Sequence, residues 1–284
     1  MEIILAKTAG FCFGVQKAVD TVYSELKKGG KIYTYGPIIH NETVVDDLAS
    51  RGVQVINTPE ELENLHGGSL IIRSHGVTRA LYEKIMQSDV KCVDATCPFV
   101  KRIHDIVAQE SASGKQIVII GNAGHPEVVG IMGWSNTPAA VIENAAEAEA
   151  FETAPERPVC VVSQTTFNAG KFQELVAILQ KKPYNIVVMN TICSATRERQ
   201  EEAREIASSA DAMIVIGGKT SSNSAKLYDI CRKECENTFF IQTREDLPLP
   251  LKGTEKTIGI TAGASTPKNI IEEVLNHVGT GREF

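Results

Sequence analysis

No apolar run in this chain approaches the ~20 residues that a membrane-spanning helix needs. The longest runs, such as Ile117–Ile120 and Ala212–Ile216, are strand-sized. There is also no block of lysine and arginine, and 29 basic against 35 acidic residues leave a net charge of −6. A nucleic-acid partner is therefore not expected, because phosphate neutralisation relies on clustered cations. The first residues, Met1-Glu2-Ile3-Ile4-Leu5-Ala6-Lys7, lack the basic start and apolar stretch of a signal peptide, so a cytoplasmic location is expected. Seven cysteines are an odd number in a chain without an export signal, which argues against a disulfide framework. What remains, 43% hydrophobic and 23% charged residues with few aromatics, is ordinary globular composition. At 284 residues the chain has room for two domains or a compact three.

An internal repeat organises the chain. Cys12 to Gly36, Cys97 to Gly121 and Cys193 to Gly217 each span 24 residues, and four residues past each glycine stand His40, His125 and Ser221. A helical stretch follows each cysteine (Val15–Lys28, Val100–Ser111, Ala195–Ser208), and then a short apolar run (Lys31–Tyr35, Gln116–Ile120, Met213–Ile216). A second strand, Val53–Ile56, Ala139–Ile142 or Thr238–Ile241, runs into words with acids in the first turn of a helix. A third strand, Leu70–Ile72, Val159–Val162 or Thr257–Ile260, ends at Ser74-His75-Gly76, Gln164-Thr165-Thr166 or Gly263-Ala264-Ser265. The fourth is Lys91–Ala95 before Cys97, Asn185–Met189 before Cys193 and Glu2–Ala6 before Cys12.

Strands alternating with helices at this interval predict α/β units with parallel sheets. Three pseudo-threefold-related units are expected, at 1–96, 97–192 and 193–284, each with about four strands. Strand 2–6 can complete either the first or the third sheet, because a cyclic repeat closes at either end. Ligands of parallel sheets lie at the C-terminal strand edges, so packing around one axis would bring the equivalent loops to a single central site.

Cys12, Cys97 and Cys193 each stand where a strand passes into a helix, a place that favours thiolate ligands. Three thiolates together suit a soft-metal centre, either zinc or a [4Fe–4S] cluster with one iron left open. Cys92, Cys160, Cys231 and Cys235 lie outside the repeat and are expected to pack as small hydrophobes.

His40, His75 and His125 occupy corresponding loops, and the remaining slots hold Thr165, Thr166, Ser221, Ser222, Asn223 and Ser265. Such donors at helix starts can hold a phosphate without Lys or Arg. Eight charge-assisted bonds at ~2 kcal/mol give about 16 kcal/mol gross, which leaves micromolar binding within reach after association costs. Glu127, in His125-Pro126-Glu127, is a carboxyl placed beside these groups, where a raised pKa suits a proton donor. Gly218-Lys219-Thr220 is not a P-loop, because Met213 stands where that motif needs glycine. The same residues also admit a metal-dependent hydrolase of a phosphorylated substrate, or a non-catalytic diphosphate-binding or redox-sensing protein.

In Ala9-Gly10-Phe11-Cys12-Phe13-Gly14-Val15, Ser74-His75-Gly76-Val77, Asp94-Ala95-Thr96-Cys97-Pro98 and Gly124-His125-Pro126-Glu127-Val128 the chain resembles the 4-hydroxy-3-methylbut-2-enyl diphosphate reductase family. Ile39-His40-Asn41-Glu42, Ser163-Gln164-Thr165-Thr166, Asn190-Thr191-Ile192-Cys193, Ser221-Ser222-Asn223-Ser224 and Thr261-Ala262-Gly263-Ala264-Ser265 extend the likeness along nearly the whole length. The resemblance implies one oxygen-sensitive [4Fe–4S] cluster on Cys12, Cys97 and Cys193 and a trefoil of three α/β domains. It implies diphosphate binding by His40, His75, His125, Ser221, Ser222, Asn223 and Ser265, with Thr165 and Glu127 near the substrate hydroxyl and Glu127 feeding protons. The implied reaction is a two-electron reductive dehydroxylation to isopentenyl and dimethylallyl diphosphate, the last step of the methylerythritol phosphate route. Its electrons would come singly from a ferredoxin or flavodoxin-type partner.

Overall fold

β-branched strand residues that are apolar on both faces need cover on both faces, and a parallel sheet flanked by helices provides it. The computed structural model, which describes residues 1–247 and 255–280, contains three such sheets. The first is ordered β3-β2-β4-β5, from β2 (Ile32–Tyr35), β3 (Val53–Ile56), β4 (Ser69–Ile72) and β5 (Lys91–Asp94). The second, β7-β6-β8-β9, comprises β6 (Gln116–Ile120), β7 (Ala140–Ile142), β8 (Val159–Ser163) and β9 (Ile186–Val188). The third is β11-β10-β12-β1, from β10 (Ala212–Ile216), β11 (Thr238–Ile241), β12 (Thr257–Ala262) and β1 (Glu2–Leu5). All pairings are parallel.

The N-terminal strand joins the third sheet, with Glu2 opposite Thr257 and Leu5 opposite Ile260. The equivalent edge of the first sheet is already taken by β5, which pairs with β4. Helices repeat with the same period. α1 (Phe13–Lys28), α5 (Pro98–Ala112) and α9 (Ser194–Ala207) follow the edge strands, and α2 (Glu42–Ser50), α6 (Pro126–Met132) and α10 (Ser222–Glu234) follow the central ones. After the third strands come α4 (Arg79–Gln87), α8 (Ala169–Leu179) and α11 (Lys268–Thr280).

Two compact units divide the chain. One comprises Met1–Gln16, His40–Asp46 and Ser194–Phe284 and carries the third sheet; the other comprises Lys17–Ile39 and Asp47–Cys193 and carries the first two. Positions 248–254 and 281–284 of the third expected unit lie outside the described residues.

Alternation along each strand divides its core into two layers. In β10, Ala212, Ile214 and Ile216 pack with Ile258, Ile260 and Val274, whereas Met213 and Val215 pack with Ala203, Leu227 and Cys231. In the second sheet Val118 and Ile120 meet Leu175, and Ile117 and Ile119 meet Ile103 and Ile131. The recurring acid-bearing words also form one device. Glu61, Glu147 and Asp246 accept from the backbone N–H of Asn57, Glu143 and Gln242 at 2.5, 2.6 and 2.9 Å. This starts the helices α3 (Pro59–Glu63) and α7 (Ala145–Ala150), but at Arg244–Asp246 only a 3-10 turn forms.

Candidate functional site

Each repeat cysteine is the residue immediately before its helix, and each is tied down by the same bond. The N–H of Cys12 donates to Ala264 O at 3.2 Å, that of Cys97 to Ser74 O at 3.0 Å and that of Cys193 to Thr165 O at 3.1 Å. The three acceptors lie two residues beyond the ends of β12, β4 and β8, so the repeat holds atom for atom at this junction. Pro98 at the first helical position suits the start of α5, and Cys97 does not lend its sulfur to capping that helix. All three are half-buried, as is Cys92, whereas Cys160, Cys231 and Cys235 are buried; among the described residues no disulfide joins any of the seven. Burial pushes the Cys160 thiol up to about 11 and Cys231 up to about 12, as expected of packing cysteines rather than ligands. Three half-buried sulfurs on fixed backbone are a donor set that fits a thiolate-bound iron–sulfur cluster.

The unit of the third sheet gathers polar groups at the C-terminal ends of β10 and β12. Ser221 caps α10, its Oγ accepting from Ser224 N at 3.3 Å and from Ser224 Oγ at 3.0 Å. Ser265 Oγ lies 3.5 Å from Ser221 Oγ and donates to His40 O at 3.0 Å. Gly218 lets the His40 carbonyl approach: a Cβ there would sit 2.7 Å from His40 O. Asn223 is 5% exposed, and neither Nδ2 nor Oδ1 has a partner. A buried amide left in this state costs about 1–3 kcal/mol, a cost that a polar ligand at this position would relieve. Sequence reasoning missed Lys226, whose Nζ donates to Ser222 Oγ at 3.2 Å. One helical turn separates the two residues, and that spacing was the available signal.

The same unit fixes the approach to Cys12 through α9. Arg199, 3% exposed, donates from Nε to Thr8 O at 2.9 Å and from Nη2 to Gly10 O at 2.7 Å. Glu202 accepts from Lys7 N at 2.7 Å and Thr8 N at 2.9 Å. Gly10 itself has φ +97°, a backbone shape glycine adopts without strain.

In the other unit the rings of His75 and His125 meet edge to face, with centroids 5.5 Å apart. His125 caps α6, its Nδ1 accepting from Glu127 N at 3.1 Å, which leaves the proton of the neutral ring on Nε2. Glu127 is 2% exposed, and burial raises its pKa, against the lowering effect of Thr165. Thr165 donates from N–H to Glu127 Oε1 at 2.6 Å and from Oγ1 to Oε2 at 2.7 Å. Thr166 is turned to a neighbour instead, accepting from Gln164 Nε2 at 3.1 Å. The expected residues thus fall into two described groups, His40 with Ser221, Ser222, Asn223 and Ser265, and His75 with His125, Glu127 and Thr165.

A family model described as LytB protein matches residues 3–279. A relative from Thermoanaerobacter sp. (strain X514), named 4-hydroxy-3-methylbut-2-enyl diphosphate reductase, is 45% identical over 281 residues, covering 98% of this chain and 96% of its own. The solved structure of the E-1-hydroxy-2-methyl-but-2-enyl-4-diphosphate reductase from Plasmodium falciparum superposes with a TM-score of 0.92 at 28% identity, covering 97% of this chain and 87% of that one. Another, described as (E)-4-hydroxy-3-methyl-but-2-enyl diphosphate reductase, the terminal enzyme of the non-mevalonate pathway, has a TM-score of 0.69 at 39% identity, over 98% and 99% of the two chains.

Proposed function

We propose that this chain, which belongs to the LytB protein family, is a [4Fe–4S]-dependent reductase that converts 4-hydroxy-3-methylbut-2-enyl diphosphate into isopentenyl and dimethylallyl diphosphate. The observation that carries the reading is the common register of Cys12, Cys97 and Cys193, each a half-buried helix-cap cysteine bonded to an equivalent strand-end carbonyl. These three residues would hold the cluster. When bound, it supplies one-electron redox chemistry and an open iron that acts as a Lewis acid.

The protein's own groups do the rest. Ser221, Ser222, Asn223, Ser265, His40, His75 and His125 would receive the diphosphate. The Asn223 amide gains the partners it lacks, and His125 offers its Nε2 proton. Lys226, one turn along α10 from Ser222, adds a cation to that set. A diphosphate so held orients the allylic end of the substrate, converting encounter into positioning.

Breaking the carbon–oxygen bond of the substrate takes two electrons and two protons. One proton turns the departing hydroxide into water, and the other ends on carbon. Glu127 is the proton source that this chain offers. Its Oε1 is committed to the Thr165 N–H, so the acid proton resides on Oε2 and can pass to Thr165 Oγ1, 2.7 Å away, as that hydroxyl gives its own hydrogen to the departing group. Burial keeps that proton on the carboxyl to higher pH than usual.

The electrons enter one at a time from a ferredoxin or flavodoxin-type donor, and the protein works in the cytoplasm. Among the described residues no helix is long and apolar enough to cross a membrane. Anaerobic turnover of the allylic diphosphate with a reduced dye tests the proposal. Formation of isopentenyl and dimethylallyl diphosphate supports it; release of inorganic phosphate without reduction would support a hydrolase instead.

A further inference from the structure

Outside the groups that the proposed reaction uses, α5 carries one more buried imidazole, His104, which is 4% exposed. Its ring lies flat on Trp134, with centroids 5.0 Å apart and planes 12° from parallel. Trp134 is itself fixed from two sides. Its Nε1 donates to Val77 O at 2.9 Å, and the Arg79 guanidinium stands 5.3 Å from the ring centroid.

The edge of the imidazole fills a slot between two glycines. A Cβ on Gly76, whose φ is +72°, would lie 2.6 Å from His104 Cε1. A Cβ on Gly130 would lie 3.6 Å from His104 Nε2 and also 3.6 Å from His75 O. Gly76 follows His75 directly, and Gly130 lies on α6 three residues past Glu127. His104 Nε2 is buried without a hydrogen-bond partner, so at that atom the ring contributes shape rather than bonding.

We infer that His104 is a positioning residue for the diphosphate end of the site, a flat spacer that holds the Ser74-His75-Gly76 turn against α6 and so sets His75 beside His125. This rests on the reading that those two histidines receive the diphosphate. Burial pushes the His104 imidazole down to about 4, so the spacer is uncharged at neutral pH. A cavity of about 200 Å³ lined by His104, Trp134, Val77, Tyr82 and Thr96 adjoins the ring, so truncating it opens a space that a free imidazole can enter.

The test is inorganic diphosphate binding to the purified holoprotein by calorimetry, read together with the emission of Trp134, the only tryptophan in the chain. His104→Ala is expected to bind diphosphate at least tenfold more weakly, with unchanged iron content and altered emission, and millimolar imidazole is expected to restore both signals. Gly76→Ala, which drives a methyl into the ring, is expected to weaken binding similarly, whereas Gly130→Ala, an ordinary contact, is not. Should His104→Ala fail to fold, the two glycine variants carry the comparison. Undiminished binding by His104→Ala or by Gly76→Ala overturns the inference, as does weakened binding that imidazole leaves unrestored. Absence of diphosphate binding by the unaltered protein would instead remove the diphosphate reading itself, and the inference with it.

Discussion

Thr165 holds both oxygens of Glu127, its N–H on Oε1 at 2.6 Å and its hydroxyl on Oε2 at 2.7 Å. A buried carboxyl gripped this way has one orientation and one free choice, the direction of the bond between Oε2 and Oγ1: the carboxylate accepts it and the protonated acid donates it. Glu127→Gln keeps the shape and both contacts but removes the acid. Turnover is expected to fall by roughly 10²–10⁴-fold with iron content and substrate affinity retained, the range for loss of a general acid. Steady-state kinetics on the reconstituted variant checks this, and full activity would remove the proton role.

The same pair has a signed pH dependence. Burial raises the Glu127 pKa and the Thr165 hydroxyl lowers it, because that bond favours the charged form. Thr165→Val therefore raises the pKa further. Activity that needs protonated Glu127 is lost as pH rises through the folded pKa, so the basic limb of the variant's residual pH profile should move to higher pH. A limb that stays put or moves down would show that the hydroxyl does not act on this carboxyl.

His104 makes stability depend on pH in the opposite sense. Its folded pKa of about 4 lies below the unfolded 6.5, so between these values the unfolded chain binds a proton that the folded chain does not. The contribution is intact above 6.5 and declines as pH falls toward about 4, by about 3 kcal/mol in all. Asp94, which favours the charged ring, and Lys101, which opposes it, both face this imidazole. Denaturant unfolding at pH 7 and pH 4.5 should show a larger loss for the unaltered protein than for His104→Gln.

Arg199 secures the segment leading to Cys12 through the Thr8 and Gly10 carbonyls. Arg199→Ala leaves those acceptors without their charged donor and should cost about 2–4 kcal/mol. Iron loading should fall as well, because the backbone before Cys12 loses its clamp. Urea unfolding and iron analysis of the same preparation measure the two effects.

Gly218→Ala would bring a Cβ within 2.7 Å of His40 O, a backbone atom that cannot turn aside. The His40 loop must then shift, and KM for the diphosphate substrate should rise at least severalfold. An unchanged KM would show that the His40 loop does not bear on substrate binding.

Local rules were enough to read much of this from the chain. The 24-residue spacing found three helix-cap cysteines, and strand ends and loops followed from glycine and acid positions. The partner of β1 was not readable, since a cyclic repeat is symmetric about its own ends; pairing with β12 required knowing that β5 already occupied the first sheet. The grip of Arg199 on Thr8 spans 191 residues and leaves no periodic trace. Nothing in the sequence around His104 marks it, because the slot that gives it meaning is formed by two glycines from elsewhere. The 3-10 turn at Arg244–Asp246 carries the same acid device as two α-helices, so that device alone does not decide the helix type.

The central claim is that Cys12, Cys97 and Cys193 together hold one cubane of iron and sulfide, and metal analysis of anaerobically purified protein tests it most directly. Iron and acid-labile sulfide at about four each per chain are expected. Replacing any one of the three by serine should sharply reduce both, while Cys231→Ser and Cys235→Ser leave them unchanged. Zinc without sulfide, or normal iron content in Cys97→Ser, would contradict the account.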